Sequence, residues 1–110
     1  MSQLKNLEKQ LEDCKELVTK RDQALKLYKN SDFKKLILDE FCVAECARYA
    51  QASADPNLNS DQRADSLAIA QAAGHLRRFL SVVVAMGNQA EASVDELREA
   101  IDATRNEDVE

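Results

Sequence analysis

Residues 2–29 read SQLKNLEKQLEDCKELVTKRDQALKLYK, with apolar side chains at Leu4, Leu7, Leu11, Cys14, Val18, Leu25 and Tyr28. Steps of three and four return this stripe to one face of an α-helix every seven residues, which is the spacing of a helix-on-helix seam. Lys5, Glu8, Lys9, Glu12, Asp13, Lys15, Glu16, Lys20 and Asp22 lie between its members, so the rest of the cylinder is solvated. A helix is expected from about Ser2, its N-cap, to about Lys29, on the order of 40 Å long. The seven stripe residues form the candidate oligomer interface, and their cover is expected from a neighbouring polypeptide. Arg21 interrupts them where the seam asks for an apolar residue. A single charged seam position selects partner number or register at a cost in stability, or marks where the coil gives way to other packing.

Outward from this helix, Asn30, Ser31 and Asp32 make a polar break able to cap the next helix start. A second helix is predicted from about Phe33 to Ala52, with a wide apolar face at Phe33, Leu36, Ile37, Phe41, Val43, Ala44, Ala47 and Ala50. A further stripe at Leu38, Cys42, Cys46 and Tyr49 makes it apolar over much of its circumference. Pro56 and the Asn, Asp and Ser residues around it place a loop over residues 53–60. A third helix begins near Ser60, where Asn59 and Gln62 can form a capping box, and carries Ala64, Leu67, Ala68, Ala72, Leu76, Phe79, Leu80 and Val83 at helical spacing. Gly74 inside that run suggests a close helix approach. Gly87 and Asn88 end or weaken the helix. Ser93 and Glu96 then read as a second capping box for a short helix with Val94, Leu97 and Ile101, fraying from Thr104.

The expected fold is all-α: a long N-terminal coiled-coil-like helix, a helical hairpin and a short C-terminal helix. At 110 residues the chain supports one domain, divided as a long amphipathic helix over 1–30, a hairpin over 31–87, and a short helix with an acidic tail over 88–110. Two Gly and one Pro against 45% apolar and 32% charged residues fit a helical protein with few turns, which disfavours β-structure. Residues 1–50 hold 10 Lys+Arg against 9 Asp+Glu, while residues 51–110 hold 5 against 11. Such an acidic second half repels phosphate, so no nucleic-acid partner is expected. No uninterrupted apolar run approaches the roughly 20 residues that cross a bilayer, and the N-terminus lacks the apolar block of a secretion signal. No membrane association is expected, and the odd cysteine count suits a reducing compartment.

No catalytic constellation emerges. Cys14, Cys42, Cys46 and His75 could in principle complete a tetrahedral zinc site, but none of them is paired in a tight C-x₂-C turn, and buried thiols filling narrow helix contacts are the stronger reading. His75 stands beside Arg77 and Arg78 with no accessible thiolate to activate. Asp39, Glu40 and Glu45 lack the Glu-x-x-His partners of a di-iron bundle and read as a solvated face. The basic pairs Lys20-Arg21, Lys34-Lys35 and Arg77-Arg78 sit among acids. Two isolated glycines exclude a phosphate-cradling loop. Neither enzyme activity nor a cofactor or metal is expected.

Asp32-Phe33-Lys34-Lys35-Leu36-Ile37-Leu38-Asp39, then Phe41, Glu45 and Arg48, then Ala54-Asp55-Pro56, then Ala73-Gly74-His75-Leu76 with Phe79-Leu80, resembles a family of small helical proteins of tailed bacteriophages. The blocks span roughly residues 20–90; Glu40 stands where the family usually has glycine. The resemblance implies no catalytic residues and no assigned activity. It implies a gene neighbourhood of capsid, portal and tail assembly. The expectation is a non-enzymatic phage structural or assembly protein, a homo-oligomer that docks on a larger virion protein (capsid, portal or tail) and resides in the virion or host cytoplasm. The alternative is an acidic helical phage protein that binds and inhibits a host factor through its C-terminal segment.

Overall fold

The computed structural model of the chain describes residues 2–109, and every element among them is helical. Helix α1 spans Ser2–Lys29. After Asn30, α2 (Ser31–Phe33), a π-helical stretch (Lys34–Glu45) and α3 (Cys46–Ala52) follow one another directly, and α4 runs over Ser60–Val109. The all-α class and the long N-terminal helix are as expected. Glu110, the last acid of the tail, lies outside the described residues.

Local chemistry sets the boundaries. The Asn30 N–H bonds the carbonyls of Lys26 and Leu27, closing α1, while its side-chain oxygen accepts from the Phe33 N–H at 2.9 Å and opens the next helix. In the loop, the Asp55 carboxylate accepts from the Asn57 N–H at 2.9 Å. Asn59 and Gln62 form the reciprocal capping box, at 2.8 and 3.1 Å.

The C-terminal half departs from expectation. Instead of a third helix followed by a short separate one, α4 continues for 50 residues through Gly87 and Asn88. No glycine adopts a positive φ, so Gly87 propagates the helix instead of ending it. The Ser93 hydroxyl turns back to the Gln89 carbonyl at 3.4 Å and that of Thr104 to the Ala100 carbonyl at 2.8 Å, the mode these residues use inside a helix. The expected capping box at Ser93 and Glu96 is therefore not a helix start.

The chain forms two compact units: residues 26–81, and the described residues through Leu25 together with those from Val82 onward. Within the first, the π-helical stretch and α3 run antiparallel to the early part of α4. The Cys42 thiol lies 3.9 Å from the Ala73 carbonyl oxygen and the Cys46 thiol 3.5 Å from that of Ala70. A side-chain sulfur reaching the main chain of the facing helix needs close axes, toward the lower end of the usual ~8–10 Å. Ala73, 1% exposed, permits that approach. These cysteines fill a narrow contact, as their buried-thiol reading holds.

Only Phe33, Ile37 and Phe41 of the wide face expected on the second helix are packed. Leu36, Val43, Ala44, Ala47 and Ala50 are exposed, whereas Ile37, Leu38, Phe41, Cys46 and Tyr49 are half-buried and Cys42 is buried. The packed residues recur every four positions, as Phe33, Ile37, Phe41 and as Leu38, Cys42, Cys46. An α-helix lets a four-residue series drift by about 40° per step. The wider i→i+5 turn holds such a series together. At the end of this stretch the Cys46 N–H points to the carbonyls of Phe41 and Val43.

In the other unit, α1 through Leu25 runs antiparallel to the later part of α4. Glu8 meets Arg105 at 2.9 Å, and further along α1 Arg21 meets Glu91 and Asn88. The α4 side of the contact is itself a heptad stripe, at Val83, Gly87, Ala90, Val94, Leu97, Ile101 and Thr104, all buried or half-buried.

Candidate functional site

The helix seam between the two ends of the chain is the candidate site. Leu4, Leu7, Leu11, Cys14 and Val18 all face into this unit, and each is only half-buried. The ridge that the sequence assigns to a neighbouring polypeptide thus receives part of its cover from its own chain. No large side chain in the described residues is fully buried, and the two-helix contact leaves grooves on both flanks. Along α1 the stripe then takes two three-residue steps, Val18 to Arg21 to Ala24. Ala24 is buried at 3% exposure, while Leu25 is turned to the edge at 39%. Two such steps in succession break the heptad phase. Tyr28, in the hairpin unit, is half-buried.

Arg21 is the best-defined polar feature. Its side chain is 10% exposed, and its guanidinium donates to Glu91, to Asn88 at 3.0 Å and to Asp22 at 3.1 Å. Its hydrogen bonds to Glu91 and then to Asp22 hold it protonated beyond its ordinary tendency, and Arg21 in turn holds the Glu91 carboxyl below the usual glutamate value. A Cβ at Gly87 would overlap the Arg21 Cβ, so the residue expected to end a helix instead makes room for the arginine stem. At Gly74, where the sequence suggests a close helix approach, a Cβ would meet nothing within 4 Å. Perturbed ionisation arises in structural ion-pair networks as well as in reactive sites. The arrangement marks one register of α1 against α4.

The thiols and histidine do not assemble. Burial pushes the Cys42 thiol up, which disfavours a nucleophilic thiolate, and the Cys46 thiol faces a carbonyl. His75 is exposed on α4 and Cys14 lies in the other unit. Among the described residues no three His, Cys, Asp or Glu side chains converge in a manner that would hold a metal. Glu45 pairs with Arg48 at 2.6 Å on the exposed face.

Considerable apolar surface stays open. Leu36 is 64% exposed, Phe79 63% and Val43 55% in the hairpin unit; in the other unit Val82 and Met86, one turn apart on α4, are also exposed. By length and composition alone, α4 contains a stretch long and apolar enough to cross a membrane. The helix also carries Arg77 and Arg78, and an arginine at a bilayer centre costs about 2.5–3.5 kcal/mol on insertion scales. Of the features above, the α4 stripe and the Gly87 contact escape a reading of the sequence. The heptad is present, but Gly87, Ala90 and Thr104 hide it.

The chain matches no known family model, no curated protein and no solved structure.

Proposed function

We propose that this chain is a non-enzymatic bacteriophage structural or assembly protein that works by helix-mediated self-association and by docking on a larger virion protein. The observation that carries the reading is the half-open seam: Leu4, Leu7, Leu11, Cys14 and Val18 keep exposed area even with α4 beside them. Burial of apolar area contributes about 25 cal/mol per Å², so a seam left partly wet is a reservoir for association. The phage assignment rests on the sequence blocks from Asp32 to Leu80.

Two measurements test it. Light scattering on the purified chain should give an oligomer that persists at micromolar concentration and is dissolved by polar substitutions at Leu7 and Leu11. Mass spectrometry of purified virions or assembly intermediates should find the chain at a defined copy number. A chain absent from particles but recovered with one stoichiometric host protein would replace this reading with the host-directed one.

A further inference from the structure

The seam between the chain ends has two flanks, and their charges differ. On one, α1 contributes Lys15, Val18 and Thr19, and α4 contributes Glu91, Val94, Asp95 and Arg98. Its half-buried floor is Val18 and Val94, its α1 wall carries one charge, Lys15, and its α4 wall is net acidic. On the other, α1 presents Gln10, Asp13 and Cys14 and α4 presents Ser93, Glu96, Leu97 and Ala100, with an acid on each wall and no base.

We infer that the Lys15/Val18/Val94/Asp95 flank is the surface on which a second copy of this chain docks, α1 of each copy lying along α4 of the other. The inference rests on the self-association reading and adds the face and the pairing. A two-fold interface is self-complementary: whatever α1 of one copy meets on α4 of its partner is repeated in reverse. On the first flank that operation sets each Lys15 against the acidic wall carrying Glu91 and Asp95. On the second it sets acid against acid, and like charges placed together suppress association. Among the described residues Lys15 makes no ion pair within 4 Å. Two helix pairs stacked in this way close a four-helix core over Val18 and Val94, which one pair alone leaves half-wet.

Charge exchange tests this on the full chain by sedimentation equilibrium, with helicity followed by circular dichroism. Lys15→Glu and Asp95→Lys should each weaken self-association by about tenfold or more, because each sets like charges across both halves of the interface. An equimolar mixture of the two should associate as well as the unaltered chain, since both contacts in the mixed dimer are then attractive. A monomeric unaltered chain overturns both this inference and the self-association reading. An oligomer indifferent to both swaps overturns the choice of face and leaves self-association standing. Weakening without rescue in the mixture also overturns the pairing. Should a swap lose helicity, Lys15→Gln and Asp95→Asn replace it, with weaker association expected from each and no change overturning the assignment.

Discussion

The hairpin of residues 26–81 and the pair made by the two chain ends bring helices together by different means. In the hairpin, Cys42, Cys46, Ala70 and Ala73 remove side-chain bulk from both sides until sulfur lies beside main-chain oxygen. In the end-to-end pair, bulk is kept on one side and removed from the other: the Arg21 stem lies over Gly87, and its charge is taken up by Glu91, Asn88 and Asp22. The first arrangement is tight and lacks a charged lock. The second is looser, its leucines half-wet, but its register is marked by a charge whose partners occur at one place along α4. Close packing and register selection are thus assigned to different parts of one chain.

The sharpest way to break the comparison is to add bulk to the tight contact. Ala73→Leu should destabilise the fold by about 3 kcal/mol, since overpacking a close contact forces side chains off their rotamers and shifts backbone. Urea unfolding measures it; a loss below about 1 kcal/mol would mean the hairpin is not closely packed. The looser contact should respond less. Gly87→Ala sets a methyl against the Arg21 Cβ, which the α1 backbone holds in place, so the helices must part; the net cost, after a helix-propensity gain of about 1 kcal/mol, is expected at about 2 kcal/mol. Adding Arg21→Ala to that variant should not restore the lost stability, because alanine keeps the Cβ that the new methyl meets. Gly74→Ala sharpens the contrast in the opposite direction. With open space around it, the substitution should stabilise the protein by about 1 kcal/mol or slightly less, through propensity alone.

The smallest effect is in acid. Arg21 depresses the Glu91 carboxyl below the 4.5 of an ordinary glutamate. A group depressed on folding contributes stability that is present above its unfolded value and lost as pH falls through its folded value. Unfolding of the native chain should therefore lose stability on descent from about pH 4.5, and Glu91→Gln should flatten that part of the profile. An unchanged profile in Glu91→Gln would show that the pair carries no linkage.

How far the sequence discloses this depends on how local the determining chemistry is. Asn30, Pro56 and the Asn59–Gln62 box act within three or four residues, and the boundaries they predict fall within about two residues of those observed. Ser93 and Glu96 have the same local signature yet sit mid-helix, because the chain around them is held by α1 and the Ser93 hydroxyl has a carbonyl one turn back. Gly87 reads as a stop or a weak point of the helix until the arginine 66 positions earlier is placed against it. The π-helical stretch is visible only as a four-residue repeat, which an α-helical reading absorbs into a broad face containing Leu36 and Val43. The half-buried ridge of α1 is legible from Leu4 to Val18; beyond it Ala24 is the buried apolar residue, Leu25, assigned to the ridge, is exposed, and Tyr28 belongs to the hairpin unit. The identity of the ridge's cover is not legible, since a heptad stripe accepts any complementary helix, and here α4 of the same chain supplies part of that cover.

That in-chain cover is tested most directly at the contact between Gly87 and Arg21, by nuclear Overhauser spectroscopy on a mixture of isotope-labelled and unlabelled chains. Contacts from the Gly87 α-protons to the Arg21 side chain should appear within single chains and vanish from the spectrum filtered for inter-chain contacts. Their appearance only in the filtered spectrum would place α1 on the α4 of another molecule and contradict the pairing described here.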